Sequence, residues 1–311
     1  MAIKVITTLA ENHYFYGVAA LLNSIIRNGT YVDLIIVGYR GELPSWLPAT
    51  TSADGKVFFE MDCGLRVELV EIEGSLHMVH EKPKWFRYLT EVLAPDADEY
   101  FFFDSDITVN QRMSFFGEWV RQGVAICEDV NYDMSATHPI RLQWAQLAEK
   151  EGKAIRNILS RYYNSGFLGW TRSTRRFVVD WDECSSILSK LSGDMTKFRV
   201  YDRSYVVLTT NQDSLNVAAM TTDCPISTIG PEGMGFHYGF NLMHHPLGGA
   251  KPWKRKFLLD FFKGRPPRYA DLLFWENMLD GELRPYSKCK VRYKLVVISV
   301  LKFLARFYAR R

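Results

Sequence analysis

Three short runs in the first third of the chain are apolar at most positions and lack a strict alternation with polar residues. They are Ile3–Ala10 (IKVITTLA), Asp33–Tyr39 (DLIIVGY) and Glu99–Phe103 (EYFFF). Strands that are buried on both faces have this composition, and parallel sheets covered by helices contain such strands. Helical patterns at Gly17–Arg27 and Lys84–Leu93 separate the runs. This order predicts an α/β fold with a mainly parallel central sheet and right-handed crossovers.

The same alternation continues through the rest of the chain. We predict further strands at Val67–Ile72, Gly123–Cys127 and Gly166–Trp170, and helices at Arg175–Leu191, Gln212–Ala219, Lys254–Phe262 and Tyr269–Leu279. Ser192–Arg203 lacks periodicity and is predicted to be a surface loop. The 311 residues contain no low-complexity tract and no fixed-period repeat. We therefore expect one main domain over residues 1–255, followed by a helical segment over residues 256–311.

Charge and cysteine usage limit the setting in which such a chain works. The formal net charge is +3, yet residues 288–311 hold eight basic side chains and no acidic one, so the remainder is net acidic. The five cysteines are widely spaced and form no CxxC pair. The N-terminus has neither the basic nor the long apolar region of a secretory signal. We expect a cytoplasmic protein that meets anionic surfaces through its tail.

Two carboxylates follow the run Glu99–Phe103 directly, in the stretch FFFDSDIT that contains Asp104 and Asp106. Ligands of open α/β sheets bind beyond the carboxyl ends of the strands. Two hard oxygen donors at one point suit Mg²⁺ or Mn²⁺. A turn in which aspartate caps the next element is the plainer alternative.

Two classes of enzyme use such a pair. Haloacid-dehalogenase phosphatases have an apolar strand followed by Asp-x-Asp-x-Thr, which this stretch matches. Nucleotide-sugar glycosyltransferases of the GT-A type have an Asp-x-Asp at mid-chain that holds a divalent cation against a diphosphate. In this chain about 100 residues with their own α/β pattern precede the pair, and no later Asp-Asp or GDxxxD follows. Both observations favour the transferase.

A second motif, HPLGGAKPW, contains His245, Gly248 and Lys251. The imidazole can supply a third metal ligand, and the glycine allows the backbone to approach a diphosphate. The lysine can stabilise the negative charge that develops when a nucleoside diphosphate leaves. A lone histidine is more often structural than a ligand, but together with the acidic pair the motif favours a metal site.

With these motifs the chain resembles glycosyltransferase family 8, which includes glycogenin and bacterial lipooligosaccharide galactosyltransferases. The resemblance runs from about Val5 to Trp253 and is carried by TTLAENHYFYGVAALLNSI, YFFFDSDITV, YYNSGFLGW, NQDSLN and HPLGGAKPW. It implies a GT-A, Rossmann-like fold that binds a nucleotide sugar. It also implies retaining, metal-dependent transfer of glucose or galactose from a UDP-sugar to a glycan or lipid-linked acceptor, in the synthesis of cell-surface polysaccharide or lipooligosaccharide.

The resemblance assigns roles to individual residues. The ligands of Mn²⁺ or Mg²⁺ would be Asp104, Asp106 and His245. The donor would contact Thr8, Ala10, Glu11, Tyr14, Lys84, Arg87, Asp104, Ser105, Asp106, Asn164, Gly248 and Lys251. The groups that act near the transferred sugar would be Asp129, Asn211 and Gln212.

Some of these positions depart from the family pattern or have a plainer alternative. Glu11 stands where the family usually has Asn or Asp, and Asn211 replaces the first aspartate of a DQD motif. Lys84 and Arg87 fit a solvated helix face equally well. Asn164 fits a turn, and Asn211 fits a helix cap. Because Asn211 is neutral, a degenerate transferase that only binds a nucleotide sugar stays an alternative.

The basic tail, KCKVRYKLVVISVLKFLARFYARR, is predicted to be helical. Its longest uncharged run, Leu295–Leu301, is too short to span a bilayer, which takes roughly 20 apolar residues. We expect the helix to lie on an anionic membrane at the inner face, with its apolar side down. Similar basic helices in lipooligosaccharide transferases support this expectation. Docking on the protein's own surface, self-association and nucleic-acid binding are alternatives, although nucleic-acid binding leaves HPLGGAKPW unexplained.

Overall fold

The structure is a computed structural model that describes residues 2–29, 31–53, 56–131, 133–198, 207, 209–248 and 250–307. The strands are β1 (Lys4–Glu11), β2 (Leu34–Arg40), β3 (Thr51–Ala53), β4 (Lys56–Glu60), β5 (Arg66–Glu71), β6 (Glu99–Phe103), β7 (Thr108–Val109), β8 (Val124–Cys127), β9 (Phe167–Thr171), β10 (Ile226–Ile229) and β11 (Met243–His244). The helices are α1 (Phe15–Arg27), α2 (Met78–Tyr88), α3 (Met113–Val120), α4 (Pro139–Lys150), α5 (Arg176–Ser189), α6 (Thr210–Thr221), α7 (Phe257–Phe262), α8 (Tyr269–Leu279) and α9 (Lys288–Ala305).

Among the described residues, nine strands form one sheet in the order β10, β8, β9, β6, β1, β2, β5, β4, β3. β1 pairs in parallel with β2 and β6, and β2–β5 and β8–β10 are also parallel pairs. β9 and β4 run opposite to the other seven strands of this sheet. The predicted α/β fold with a mainly parallel central sheet is confirmed.

The core lies on both faces of the sheet, as the apolar runs require. Along β6, Phe101 and Phe103 pack on one face, and Tyr100 and Phe102 pack on the other. This is the two-residue alternation of side chains in a strand. All four rings are fully buried. α1, α8 and α9 cover the first face, and α2, α5 and α6 cover the second.

The C-terminal helices share the core of the first face. Trp275 of α8 and Val291, Ile298 and Leu301 of α9 belong to the same apolar cluster as β6. The side chain of Asn23 in α1 ties them in place, because it donates to the carbonyl oxygens of Asn277 and Leu283 at 3.0 and 2.9 Å. The domain boundary at residue 255 stays a prediction. In the part of the chain that the structure describes, no helix is both long and apolar enough to cross a membrane.

One difference between the predicted and observed elements bears on the site. The sequence pattern predicts a second helix that begins at Lys84. It begins at Met78 instead, and Pro83 lies inside it. The His77 imidazole caps this earlier start, since its Nδ1 accepts from the backbone N–H of Val79 at 3.3 Å. As a result Lys82, which the prediction left outside the helix, is a helical residue.

Other elements were missed because their sequence patterns are weak. β3, β4, β7, β10 and β11 are short, α3 has only eight residues, and the apolar and polar faces of α4 are weakly separated. The antiparallel direction of β9 was also not predicted. Of the predicted loop at Ser192–Arg203, residues 192–198 form neither helix nor strand, and residues 199–203 lie outside the described residues.

Candidate active site

The turn that carries the acidic pair is fixed from two sides. The backbone N–H of Asp104 donates to the carbonyl of Gly166 at 2.7 Å, and that of Ile107 donates to the carbonyl of Asp104 at 2.9 Å. Helix α1 packs against the turn so closely that a Cβ at Gly17 would lie 2.2 Å from the carbonyl oxygen of Ser105. Glycine is therefore required at position 17 for this approach.

A short antiparallel ladder brings the distant histidine to the same turn. β7 continues from the turn and pairs with β11, so that Thr108 lies opposite His244. His245 follows at once, and its Nε2 lies 3.4 Å from Asp106 Oδ1 and 3.8 Å from Asp104 Oδ2. One ligand atom from each of the three residues lies within 4.8 Å of the others.

The three side chains fit a divalent cation by their chemistry as well as by their spacing. Two carboxylates and one imidazole form a donor set that suits Mn²⁺ or Mg²⁺. Asp106 and His245 are almost fully buried, at 4% and 9% side-chain exposure, which removes competing water. Gly166 makes room for the imidazole, because a Cβ there would lie 2.8 Å from His245 Cε1.

Two lysines compensate the charge of the pair. Lys251 forms an ion pair with Asp106, and Lys82 Nζ lies 2.7 Å from Asp104 Oδ1 and 3.0 Å from the carbonyl of Ser165. Burial is the largest single influence on Asp106 and raises its pKa, but Lys251 and His245 together hold that pKa well below its usual range. Burial lowers the pKa of Lys251, and Asp106 outweighs this and raises it. Both groups are therefore charged at neutral pH.

The direction of β9 places a second set of polar groups beside the acids. Because β9 is antiparallel, the residues before it lie at the edge where β6 and β8 end. There the Nδ2 of Asn164 donates to Asp129 Oδ2 at 2.5 Å, and its Oδ1 accepts from the backbone N–H of Gly166 at 2.8 Å. The Nε2 of Gln212 donates to the same oxygen of Asp129 at 3.3 Å. Asp129 is thus oriented by two amides.

The first turn of α6 completes this network. The backbone N–H of Ser165 donates to Gln212 Oε1 at 3.2 Å, and Asn211 Nδ2 donates to Ser165 Oγ at 3.0 Å. Asp213 has a different role, because it accepts from the backbone N–H of Thr209 and from a buried tyrosine hydroxyl. The side chains of Asn211 and Gln212 therefore reach the site, whereas Asp213 stabilises the start of the helix.

These groups line one cavity of about 780 Å³. The predicted site residues along its wall are Glu11, Tyr14, Asp104, Ser105, Asp106, Asp129, Asn164, Asn211, Gln212, His245, Gly248 and Lys251. Residues that were not predicted also line it, namely Leu9, His77, Met78, Val79, Lys82, Asn131, Ser165, Gly166, Phe198, Thr209 and Leu247. The structure thus brings most of the predicted set together from segments spread over most of the chain.

Four predicted donor contacts do not reach the cavity. Thr8 and Ala10 are buried within β1, at 0% and 1% exposure. Lys84 is exposed, and Arg87 forms ion pairs at 3.2 Å with Glu91 and Asp182 on the outer side of α2.

On α2 the basic side chain that lines the cavity is that of Lys82. Lys82 is 2% exposed and turns toward the sheet edge, and Lys84 lies two residues further along, about 200° around the helix. Lys82 lines the cavity and pairs with Asp104, whereas Lys84 and Arg87 lie outside the cavity lining. The sequence signal that could have indicated Lys82 is His77, because a helix capped by this histidine begins early enough to include Lys82.

Comparison with known proteins gives a match at the level of the fold. The chain matches no family model, and no curated protein matches its sequence. Among solved structures it matches the apo structure of the bifunctional glycosyltransferase WbbM, with a TM-score of 0.53 and 13% sequence identity. The match covers 95% of this chain and 52% of that one, so the chain spans about half the length of that protein. The fold is the GT-A, Rossmann-like α/β fold of glycosyltransferases.

Proposed function

We propose that this chain is a metal-dependent glycosyltransferase that moves a hexose from a nucleotide sugar to a hydroxyl group. The observation that carries the proposal is the convergence of Asp104, Asp106 and His245 at the edge of a cavity in a GT-A fold. Asp106 forms an ion pair with Lys251 and lies beside the imidazole of His245. These two neighbours favour the glycosyltransferase over the haloacid-dehalogenase phosphatase.

The finer assignment rests on the motif resemblance to glycosyltransferase family 8. It comprises UDP-glucose or UDP-galactose as donor, retention of the anomeric configuration, and a glycan or lipid-linked acceptor in cell-surface polysaccharide or lipooligosaccharide synthesis. Glu11 at the end of β1 and Tyr14 three residues later line the cavity where the nucleoside is expected. Thr8 and Ala10 do not line this cavity.

The charged residues have two roles in binding the donor, which are metal coordination and stabilisation of the diphosphate charge. Asp104, Asp106 and His245 would hold Mn²⁺ or Mg²⁺, which when bound acts as a Lewis acid for departure of the diphosphate. Lys251 and Lys82 add positive charge at the same edge and stabilise the charge that develops on the leaving group. Gly248 adopts a φ of +60°, a conformation that lets the backbone approach the phosphates without strain.

The amide network orients the transferred sugar. Asp129 accepts hydrogen bonds from Asn164 and Gln212 and presents its carboxylate toward a sugar hydroxyl. No carboxylate stands at position 211, so Asn211 cannot serve as a nucleophile. Attack of the acceptor hydroxyl on the same face as the leaving diphosphate, with Gln212 near the anomeric carbon, agrees with this set of groups.

The test of the proposed function is slow release of UDP. With Mn²⁺ and either UDP-glucose or UDP-galactose, the protein is expected to release UDP even without acceptor, because water can replace the hydroxyl. A chelator should abolish the release. Tight binding of the donor with no release over a day would instead identify a degenerate binding protein. Hydrolysis of p-nitrophenyl phosphate without UDP release would identify a phosphatase.

Helix α9 supports a further part of the proposal, a peripheral site on the inner face of an anionic membrane. One face of the helix is buried in the domain through Val291, Ile298 and Leu301. This agrees with the alternative in which the helix docks on the protein's own surface. Five apolar side chains on the opposite side are more than half exposed, namely Tyr293, Val296, Val300, Phe303 and Phe307. Basic residues flank them, and no acid lies in residues 288–311. Such a face suits the interface of an anionic bilayer.

Replacing Phe303 and Phe307 together by serine is expected to weaken binding to vesicles made of equal amounts of phosphatidylcholine and phosphatidylglycerol. Each phenylalanine contributes roughly 1.5 kcal/mol or more when buried in the bilayer, so the loss should be about 100-fold. Tyr238→Ser, a change of an exposed aromatic in a loop away from α9, serves as the control. Unchanged vesicle binding, or preferential binding to an oligonucleotide, would contradict the membrane role. Sedimentation with vesicles measures the effect.

A further inference from the structure

A cluster of charged side chains around a buried carboxylate lies behind the segment that carries His245 and Lys251. We call residues 245–253 the donor loop. The cluster is built around Asp271 of α8, which is fully buried. Arg255 Nη1 donates to Asp271 Oδ2 at 2.6 Å, and Arg268 Nη2 donates to Asp271 Oδ1 at 2.9 Å. None of these three residues lines the cavity.

Within this cluster Arg268 makes contacts that Arg255 does not. Its Nη1 donates to the carbonyl oxygen of Leu247 at 2.8 Å, and its Nη2 donates to that of Ala250 at 3.4 Å. Arg255 uses its remaining donors on Asp260 and on carbonyls of residues 265 and 266. Arg268 therefore joins the cluster to the donor loop, and Arg255 joins it to the chain between α7 and α8.

We propose that Arg268 is a positioning residue for the donor: it holds the backbone of the donor loop so that Gly248 and Lys251 face the diphosphate. This inference rests on the proposed function. The planar guanidinium suits the task because it can donate to Asp271 and to two carbonyls at once. Leu247 and Ala250 stand on either side of Gly248 and immediately before Lys251, so the two bonds fix the part of the loop that lines the cavity.

The position of Arg268 is itself fixed by its neighbours. It precedes α8, and its backbone N–H donates to Asp271 Oδ2 at 2.7 Å as a helix cap. The next residue, Tyr269, packs edge-on against His244 with ring centroids 4.9 Å apart. On its other side the ammonium of Lys302 lies 4.9 Å from the centre of the Tyr269 ring. The start of α8 is thus held between β11 and α9, which gives Arg268 a rigid base.

Hydrogen–deuterium exchange of the ligand-free protein tests the proposal. In Arg268→Met the amides of Leu247, Gly248, Ala250, Lys251 and Trp253 should exchange about tenfold faster than in the wild type, because two charged hydrogen bonds to the loop are lost. Arg268→Lys keeps a charge against Asp271 but cannot reach both carbonyls, and it should show a smaller increase. Amides of β1 and β6 should be unchanged in both variants. Arg284→Met, which removes an exposed arginine bonded to the carbonyl of Gly281, is the matched control.

A kinetic measurement distinguishes positioning from general damage. The KM for the UDP-sugar should rise about tenfold in Arg268→Met with a much smaller change in kcat, because the donor must now order the loop as it binds. Unchanged exchange in the loop, or faster exchange throughout the protein in both Arg268 variants, would overturn the proposal. If the wild type releases no UDP, the proposed function fails, and the exchange measurement still decides the role of Arg268.

Discussion

Replacing Asp106 by asparagine is expected to lower metal-dependent sugar transfer by about a thousandfold, which corresponds to about 4 kcal/mol of lost transition-state stabilisation. The change removes a ligand charge at a buried position and leaves the imidazole of His245 facing a neutral amide. Loss of an outer-shell partner alone weakens metal binding by roughly 10- to 100-fold. A direct ligand should contribute at least as much, so the Kd for Mn²⁺ should rise by about 100-fold or more.

The matched control for this change is Asp182→Asn. Asp182 is also a carboxylate in an ion pair, but it pairs with Arg87 outside the cavity. Titration with Mn²⁺ followed by electron paramagnetic resonance measures binding, and UDP release measures turnover. Circular dichroism confirms that both variants are folded. Wild-type Mn²⁺ affinity and turnover in Asp106→Asn would refute the assignment of the metal site.

Replacing Lys251 by methionine should lower turnover without weakening the binding of Mn²⁺. Turnover should fall by about 100-fold, because the proposed function assigns to Lys251 the positive charge that stabilises the leaving diphosphate. Mn²⁺ should bind at least as tightly as in the wild type, since the Lys251 ammonium competes with the cation for Asp106 in the free protein. A residue that merely supported the fold would weaken both.

Lys84→Met is the appropriate comparison, because Lys84 is an exposed lysine on α2 that lies outside the cavity. The same Mn²⁺ titration and UDP-release assay apply to it. If Lys251→Met bound Mn²⁺ much more weakly than the wild type, Lys251 would be a support of the metal site and not a competitor for it. Full turnover in Lys251→Met would exclude the lysine from charge stabilisation.

Much of the sheet and the convergence of the acidic pair with the histidine could be predicted from sequence, for identifiable reasons. The apolar runs of β1, β2 and β6 are buried on both faces, and that environment leaves a strong imprint on composition. Asp104 and Asp106 follow the end of such a run, where ligands of α/β sheets bind. His245 could be joined to them only through a motif, because nothing local to residue 245 indicates its spatial partner.

What could not be predicted depends on contacts between distant segments. The direction of β9 is set by its neighbours in the sheet, and the alternation of strand and helix alone favours a parallel strand. The start of α2 depends on a capping histidine and on a proline tolerated inside the helix, against the usual preference for proline at the first position. Lys84 and Arg87 are assigned from the family resemblance, and that pattern gives no indication of Lys82, the basic residue of α2 that lines the cavity.

The two-residue ladder of β7 and β11 also has a consequence for folding kinetics. It joins segments separated by nearly half of the chain. Closing so long a loop lowers the conformational entropy of the chain before the new contacts stabilise it. Such long-range contacts therefore form after more local ones. A divalent ion whose binding site requires this ladder can therefore stabilise only the native state. Its effect should be a slower rate of unfolding, with no acceleration of the early steps of folding.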